Sequence, residues 1–250
     1  MTILPLVNVF TTPFDHWERR KATQDEVMAE LKKTGKLSSE VKVRVLRTIS
    51  NAVEAAVHVA EVAPDDQRLA NQIDDSLKGS PDLKEWMKAM PSSTPKGISV
   101  YQKNYSTHDP TTVNEEIKSI GATLSPGQYL FHGGCWSDKS KLEVTTDAPF
   151  STTFCPHVAF METLHGGKAY HDGRIDLFVL RAVSPETNVF AFKHKGSHLG
   201  HEKEVLFAAG AKLTLCNETL IDRDLIAHAY VNYSAKSKPV PVYVLEVDIS

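Results

Sequence analysis

Apolar residues keep one spacing in this 250-residue chain up to Ile120 and another from Tyr129 onward. Before the change they recur every three or four positions, which lines one face of a helix. After it they gather in short runs bounded by Gly, Pro and polar residues, as strands do. The connections between those runs are too short for helical crossovers, apart from the segment 158–164. Helices first and strands second, so connected, imply an α+β fold with a mostly antiparallel sheet.

Thr23 and Glu26 have capping-box spacing ahead of Val27, Met28 and Leu31, and Gly35 ends that helix. A longer helix is expected after Ser38 or Ser39. In it Val41, Val45, Ile49, Val53, Val57 and Ala60 recur mostly every fourth residue, and Pro64 stops it. Asp65 or Asp66 caps the next, with Leu69, Ile73 and Leu77 inward and Gly79 at its end. Ser80-Pro81 starts another, lined by Leu83, Trp86, Met87 and Met90 and stopped at Pro91. Such stripes are expected to be core. Ser92-Ser93-Thr94-Pro95-Lys96-Gly97 reads as a linker, so 1–91 is expected to be a helical N-terminal region and 95–250 a second domain. One more helix follows, capped by Thr112 with Glu115 and carrying Val113, Ile117 and Ile120 to Gly121.

Tyr129-Leu130-Phe131 is a short strand running into His132-Gly133-Gly134. Further strands are expected at 150–154, 175–182, 187–192, 205–207, 213–215 and 240–247, the last beginning at an edge because of Pro239 and Pro241. No Gly-x-Gly-x-x-Gly follows a strand, which argues against a Rossmann site. No apolar run approaches a membrane span, so no membrane partner is expected. A formal net charge of −3 gives no bulk nucleic-acid footprint. Cys135, Cys155 and Cys216, an odd count, argue against a disulfide scaffold and for folding in a reducing compartment. Residues 1–14 lack a basic n-region and a clean cleavage site, so no cleavable signal is read.

Residues 201–207, His-Glu-Lys-Glu-Val-Leu-Phe, carry the most chemistry. In a strand Glu202 and Glu204 project together and Lys203 opposite. Two carboxylates at the mouth of an apolar strand repel, which raises at least one pKa and suits chemistry that passes through a positive charge. Alone, such a run is more often a solvated edge. Two other motifs precede it in order: the strand ending in His132-Gly133, then Phe150-Ser151-Thr152-Thr153.

This ordered set resembles the mono-ADP-ribosyltransferase superfamily of bacterial toxins and effectors. In its arginine–serine–glutamate branch a strand carries a basic residue followed by Gly, a Ser-Thr-Ser strand comes next, and Glu-x-Glu precedes an apolar strand. Leu124-Ser125-Pro126-Gly127-Gln128-Tyr129 resembles the approach to the first motif. Glu204-Val205-Leu206-Phe207, followed by Ala211-Lys212-Leu213, resembles the exit from the third, and the helix bearing Val113-Asn114 resembles the helix before the catalytic core. The resemblance covers about residues 95–250. His132 departs from that branch's Arg and is similar to the first motif of the diphtheria-toxin and poly-ADP-ribose-polymerase branch, where His binds NAD. That branch has Tyr where Ser151 begins Ser-Thr-Thr here. The resemblance implies a split, mostly antiparallel β-sheet core and NAD as co-substrate, with no metal. It implies a target protein or nucleic acid as acceptor, arginine favoured by Glu-x-Glu. It also implies a toxin, effector or phage modifying enzyme, secreted or injected without a cleavable signal and acting in the cytoplasm, with a chaperone or immunity protein as a further partner.

The residues suit that chemistry. Breaking the bond from cationic nicotinamide to ribose builds an oxocarbenium-like cation, which a fixed carboxylate stabilises. Glu204 is the candidate, Ser151 would hold it through its hydroxyl, and Glu202 would orient or deprotonate the acceptor. His132 would donate to ribose or phosphate oxygens, and Gly133 and Gly134 would let the dinucleotide approach the backbone. Thr152 would shape the strand beside the cofactor. Phe160 is the candidate platform, with Phe154 and Tyr170 as alternatives, although buried aromatics are more often core. The segment 193–201, rich in Lys and His, would face the acceptor.

Two rival readings stand beside this one. A zinc module would draw on His194, His198 and His201 with Cys135, Cys155, His157, His165 and His171, but closely spaced pairs such as Cys-x-x-Cys are absent. A binding protein of the same fold without activity is favoured by His132 in place of Arg.

Overall fold

The computed structural model describes residues 2–136, 140–193 and 203–250. In chain order its elements are β1 (Thr2–Ile3), β2 (Phe14–Lys21), α1 (Gln24–Thr34), β3 (Glu40–Ile49), α2 (Ala52–Val62), α3 (Arg68–Gly79), α4 (Pro81–Ala89), α5 (Lys96–Lys103) and α6 (Pro110–Ile120). Then come β4 (Ala122–Thr123), β5 (Tyr129–Gly134), β6 (Glu143–Thr145), β7 (Phe150–Thr153), α7 (Pro156–Leu164), α8 (Lys168–Asp172), β8 (Ile175–Ala182), β9 (Val189–Ala191), β10 (Glu204–Phe207), β11 (Lys212–Val231) and β12 (Ser234–Ile249). The fold is α+β.

The large sheet has the order β6-β11-β12-β8-β5-β7-β10-β9. Among the described residues of this sheet, only β12 and β8 pair in parallel; the other neighbours run antiparallel. A single register pair, Phe131 with Thr153, joins β5 to β7. The sheet is therefore nearly split there, and the split sets His132 beside Ser151.

Several sequence expectations are corrected. Residues 40–49 are a strand, not the first half of a long helix, and β3 pairs antiparallel with β2. Val41, Val43 and Val45 alternate with Lys42 and Arg44, a period of two that also fits every-fourth spacing. Polar pairs across the ribbon, such as Arg44 Nε to Glu18 at 2.6 Å, suit it to solvent. The helix begins only at Asn51, whose side chain accepts from the Glu54 N–H. The Thr23–Glu26 capping box and the Gly35 cap form as read, yet α1 buries no residue and Met28 is 47% exposed, so its stripe is not core. Asp109, not Thr112, caps α6, accepting from the N–H groups of Thr111 and Thr112. Lys96 and Gly97, read as the end of the linker, open α5 (Lys96–Lys103).

The strands at 213–215 and 240–247 are parts of the much longer hairpin β11–β12, turned at Asn232 and Tyr233 with φ of 49° and 61°. Positive φ at both central residues matches the twist of a tight hairpin. Pro239 and Pro241 precede Val242, where β8 starts to pair, so that flank of β12 is indeed an edge.

One hydrophobic core runs from Leu4 to Ile249 and includes α2, α3 and α4 with the sheet. Trp86 of α4 is fully buried, donates from Nε1 to the Pro5 carbonyl at 2.7 Å, and lies 5.3 Å from the Phe154 ring. No described helix is long and apolar enough to cross a membrane.

Candidate active site

Glu204 opens β10 opposite Thr153 of β7, and Leu206 stands opposite Ser151. Directly opposed residues share a face, as do residues two apart, so Glu204, Thr153 and Ser151 point to the same side. Ser151 Oγ donates to Glu204 Oε1 at 2.6 Å. That length is typical of a hydroxyl bound to a carboxylate. Glu204 is only 7% exposed.

Tyr101 of α5 completes this cluster, and the sequence did not reveal it. Burial pushes its phenol pKa up, the Glu204 carboxylate pushes it further, and a hydrogen bond with Ser151 acts the other way. The helix that carries Tyr101 is capped from a distance: Glu116 of α6 accepts from the Gly97 and Ile98 N–H groups at 2.9 and 2.8 Å. In sequence only the Ile98–Tyr101 spacing hinted at a helix.

His132 of β5 lies between Phe150 and Phe178, with ring centroids 4.3 and 5.3 Å away. Its Nδ1 is 2.7 Å from the Ser151 carbonyl. A carbonyl only accepts, so Nδ1 carries the proton and Nε2 is left as an acceptor. Burial pushes the imidazole pKa down to about 4, against that hydrogen bond and with the Lys168 charge adding to the fall. The ring is thus neutral near pH 7, with its one proton engaged by the Ser151 carbonyl and Nε2 left able only to accept.

Other sequence candidates are placed differently. Thr152 faces the opposite side of the sheet from Ser151, is 2% exposed, and donates to the Val205 carbonyl at 2.6 Å. Its hydroxyl locks β7 to β10 and does not reach the side that bears Glu204. Gly133 serves packing: a Cβ there would come within 1.8 Å of the Ala159 carbonyl oxygen of α7. The helix, not a dinucleotide, occupies that close approach. Phe160 is fully buried in the core and offers no platform. Glu202, together with His194, His198 and His201 and most of the 193–201 segment, lies outside the described residues.

Lys203 has φ of 55°, which turns the chain into β10, and its ammonium is buried 3.0 Å from Asp74 of α3. A small cleft of about 40 Å³ reaches Glu204, walled by Leu83 and Met87 of α4 with Phe154, Ala191 and Phe192. A larger one of about 170 Å³, lined among others by Leu6, Phe10, Asn51 and Tyr129, holds none of the cluster around Glu204. The smaller cleft is the better candidate because a carboxylate with a fixed donor lines it.

No family model matches the sequence, and no curated protein does. Among solved structures, the chain is similar to the ADP-ribosyltransferase Vis from Vibrio splendidus in complex with agmatine, at 14% identity and a TM-score of 0.43, over 77% of this chain and 90% of that one. It is similar to Plx2a, an ADP-ribosyltransferase toxin from Paenibacillus larvae, at 12% identity and 0.41, over 67% and 90%. It is also similar to the enzymatic component C2-I of the C2-toxin from Clostridium botulinum, at 12% identity and 0.38, over 66% of this chain but only 45% of that one.

Proposed function

We propose that the chain is a mono-ADP-ribosyltransferase that cleaves NAD at the nicotinamide–ribose bond and transfers ADP-ribose to a macromolecule. The observation that carries this reading is the 2.6 Å hydrogen bond from Ser151 Oγ to Glu204 Oε1, beside Tyr101 and at the edge of a cleft. A carboxylate held by a donor and largely removed from water stabilises an adjacent cation strongly, because little solvent screens it. Nicotinamide leaves as a neutral base and needs no general acid, so one fixed carboxylate is the main requirement. Ser151 keeps Glu204 in one rotamer, and His132 accepts from a sugar hydroxyl through Nε2. Glu202, two residues upstream, orients the acceptor and helps remove its proton. A protonated guanidinium is a poor nucleophile, so an arginine acceptor would depend on that second carboxylate. The role proposed is that of a toxin or effector acting on another cell's cytoplasmic protein or nucleic acid, held before delivery by a chaperone or immunity protein.

The test is to incubate the full chain with labelled NAD and several cell lysates. Released nicotinamide and a labelled macromolecule are expected. Absence of both would overturn the proposal. Binding of NAD without cleavage would instead favour an inactive member of the same fold, the reading that His132 in place of Arg supports.

A further inference from the structure

Three side chains that could ligate a metal meet on elements that carry none of Glu204, Ser151, Tyr101 and His132. His16 lies on β2, His58 on α2 and Asp66 just ahead of α3, and one ligand atom from each lies within 4.8 Å of the other two. His16 Nδ1 is 3.8 Å from Asp66 Oδ2. The two imidazoles meet edge to face with centroids 4.7 Å apart. His58 is 3% exposed, and the side chains of His16 and Asp66 are 23% and 12% exposed.

We propose that His16, His58 and Asp66 form a site for a divalent cation of the zinc type. Two imidazole nitrogens and one carboxylate oxygen are donors that such a borderline metal prefers, whereas magnesium and calcium prefer oxygen alone. Bonds of about 2.1 Å at tetrahedral angles set ligand atoms about 3.4 Å apart. The His16–Asp66 pair is already close to that, and the widest gap needs roughly 1.4 Å of closing, within reach of small side-chain rotations. Water would take the fourth position on the partly open side of His16. Asp66 is oriented for the task, since its Oδ1 accepts from the Arg68 N–H at 2.9 Å. A bound ion would tie the β2–β3 ribbon to α2 and to the start of α3.

Nearby cations compete with it. Arg68 Nη1 donates to Asp66 Oδ2 at 3.0 Å, and Arg47 is engaged with Glu61 at 2.8 Å. Arg68 also holds Glu40 through Nη2 at 2.9 Å, so its guanidinium keeps a carboxylate when the metal takes Asp66. That competition distinguishes a ligand set from mere packing: Arg68→Gln should bind zinc more tightly than the unaltered chain.

The experiment uses the full chain, stripped with chelator and then equilibrated with zinc. One zinc retained per chain and a raised thermal midpoint are expected, with cobalt in its place giving the visible absorption of a four-coordinate site. His16→Asn and Asp66→Asn, each verified as folded by circular dichroism, should weaken zinc binding about tenfold or more. No retained zinc in the unaltered chain would overturn the proposal. So would retention unchanged in both variants, which would assign the zinc to other histidines. Nicotinamide release is a separate readout, and its outcome bears only on the reading of Glu204.

Discussion

At the residue scale, Glu204 and Glu202 are expected to separate in function. On the proposed mechanism Glu204→Gln removes the charge that would stabilise the cationic centre and should lower nicotinamide release by about 10²–10³, roughly 3–4 kcal/mol. Glu202→Gln should abolish transfer while water still attacks, so NAD hydrolysis persists. Parallel assays of nicotinamide release and target labelling check both, and full activity in Glu204→Gln would remove the mechanism. His132 carries a second prediction. Its pKa is pushed down to about 4 in the folded chain, whereas an unfolded imidazole titrates near about 6.5. Between those values the unfolded chain takes up a proton that the folded chain refuses. Stability is therefore full above about pH 6.5 and falls as pH drops toward about 4, by on the order of 3 kcal/mol from this group. His58, also pushed down to about 4 by burial, acts in the same direction. Urea unfolding at neutral and acid pH should show a smaller acid loss in His132→Gln than in the unaltered chain. An equal loss in both would mean that the ring is not held neutral.

At the element scale, Gly133 is where α7 meets β5. A methyl there would sit 1.8 Å from the Ala159 carbonyl, a backbone atom that cannot swing aside. Gly133→Ala should cost on the order of 3 kcal/mol as helix and strand are forced apart, read as a lower midpoint in denaturant. An unchanged midpoint would show that α7 shifts freely. The same elements show how far local pattern carries. Ser80-Pro81 starts α4 as its residues suggest, because cap and proline act through their own backbone. The stretch 40–49 misleads, because valines two apart also satisfy a four-residue spacing. Only pairing with β2 selects the strand.

At the scale of the whole molecule, α2, α3 and α4, which precede the linker, are built into the same core as the sheet. Leu83 and Met87 wall the cleft at Glu204, Trp86 packs on Phe154, and Asp74 pairs with the buried Lys203. A fragment of residues 95–250 would uncover Phe154 and leave the Lys203 ammonium without Asp74. We expect it to be insoluble or unfolded, read by gel filtration and near-ultraviolet circular dichroism. A soluble, cooperatively folded fragment with full nicotinamide release would show instead that these helices serve delivery or target recognition alone.

The amino-acid sequence by itself determined the α+β class, the caps of α1 and α4, the buried strand after Glu204, and the candidates His132, Ser151 and Glu204. Each depends on residues close together in the chain: alternation, a cap and its partner three residues on, a short motif. Tertiary structure decided what depends on residues far apart. Glu116 caps the helix that brings Tyr101 to Glu204, and Ala159 claims the space beside Gly133. Thr152 is turned to the far face by the register of β7 against β10, and Phe160 is enclosed by the core. His16, His58 and Asp66 meet although 42 and 8 positions separate them. A hydrogen bond, a steric clash or a ligand set acts over a few ångströms of space, and only the folded path of the chain says which residues share it.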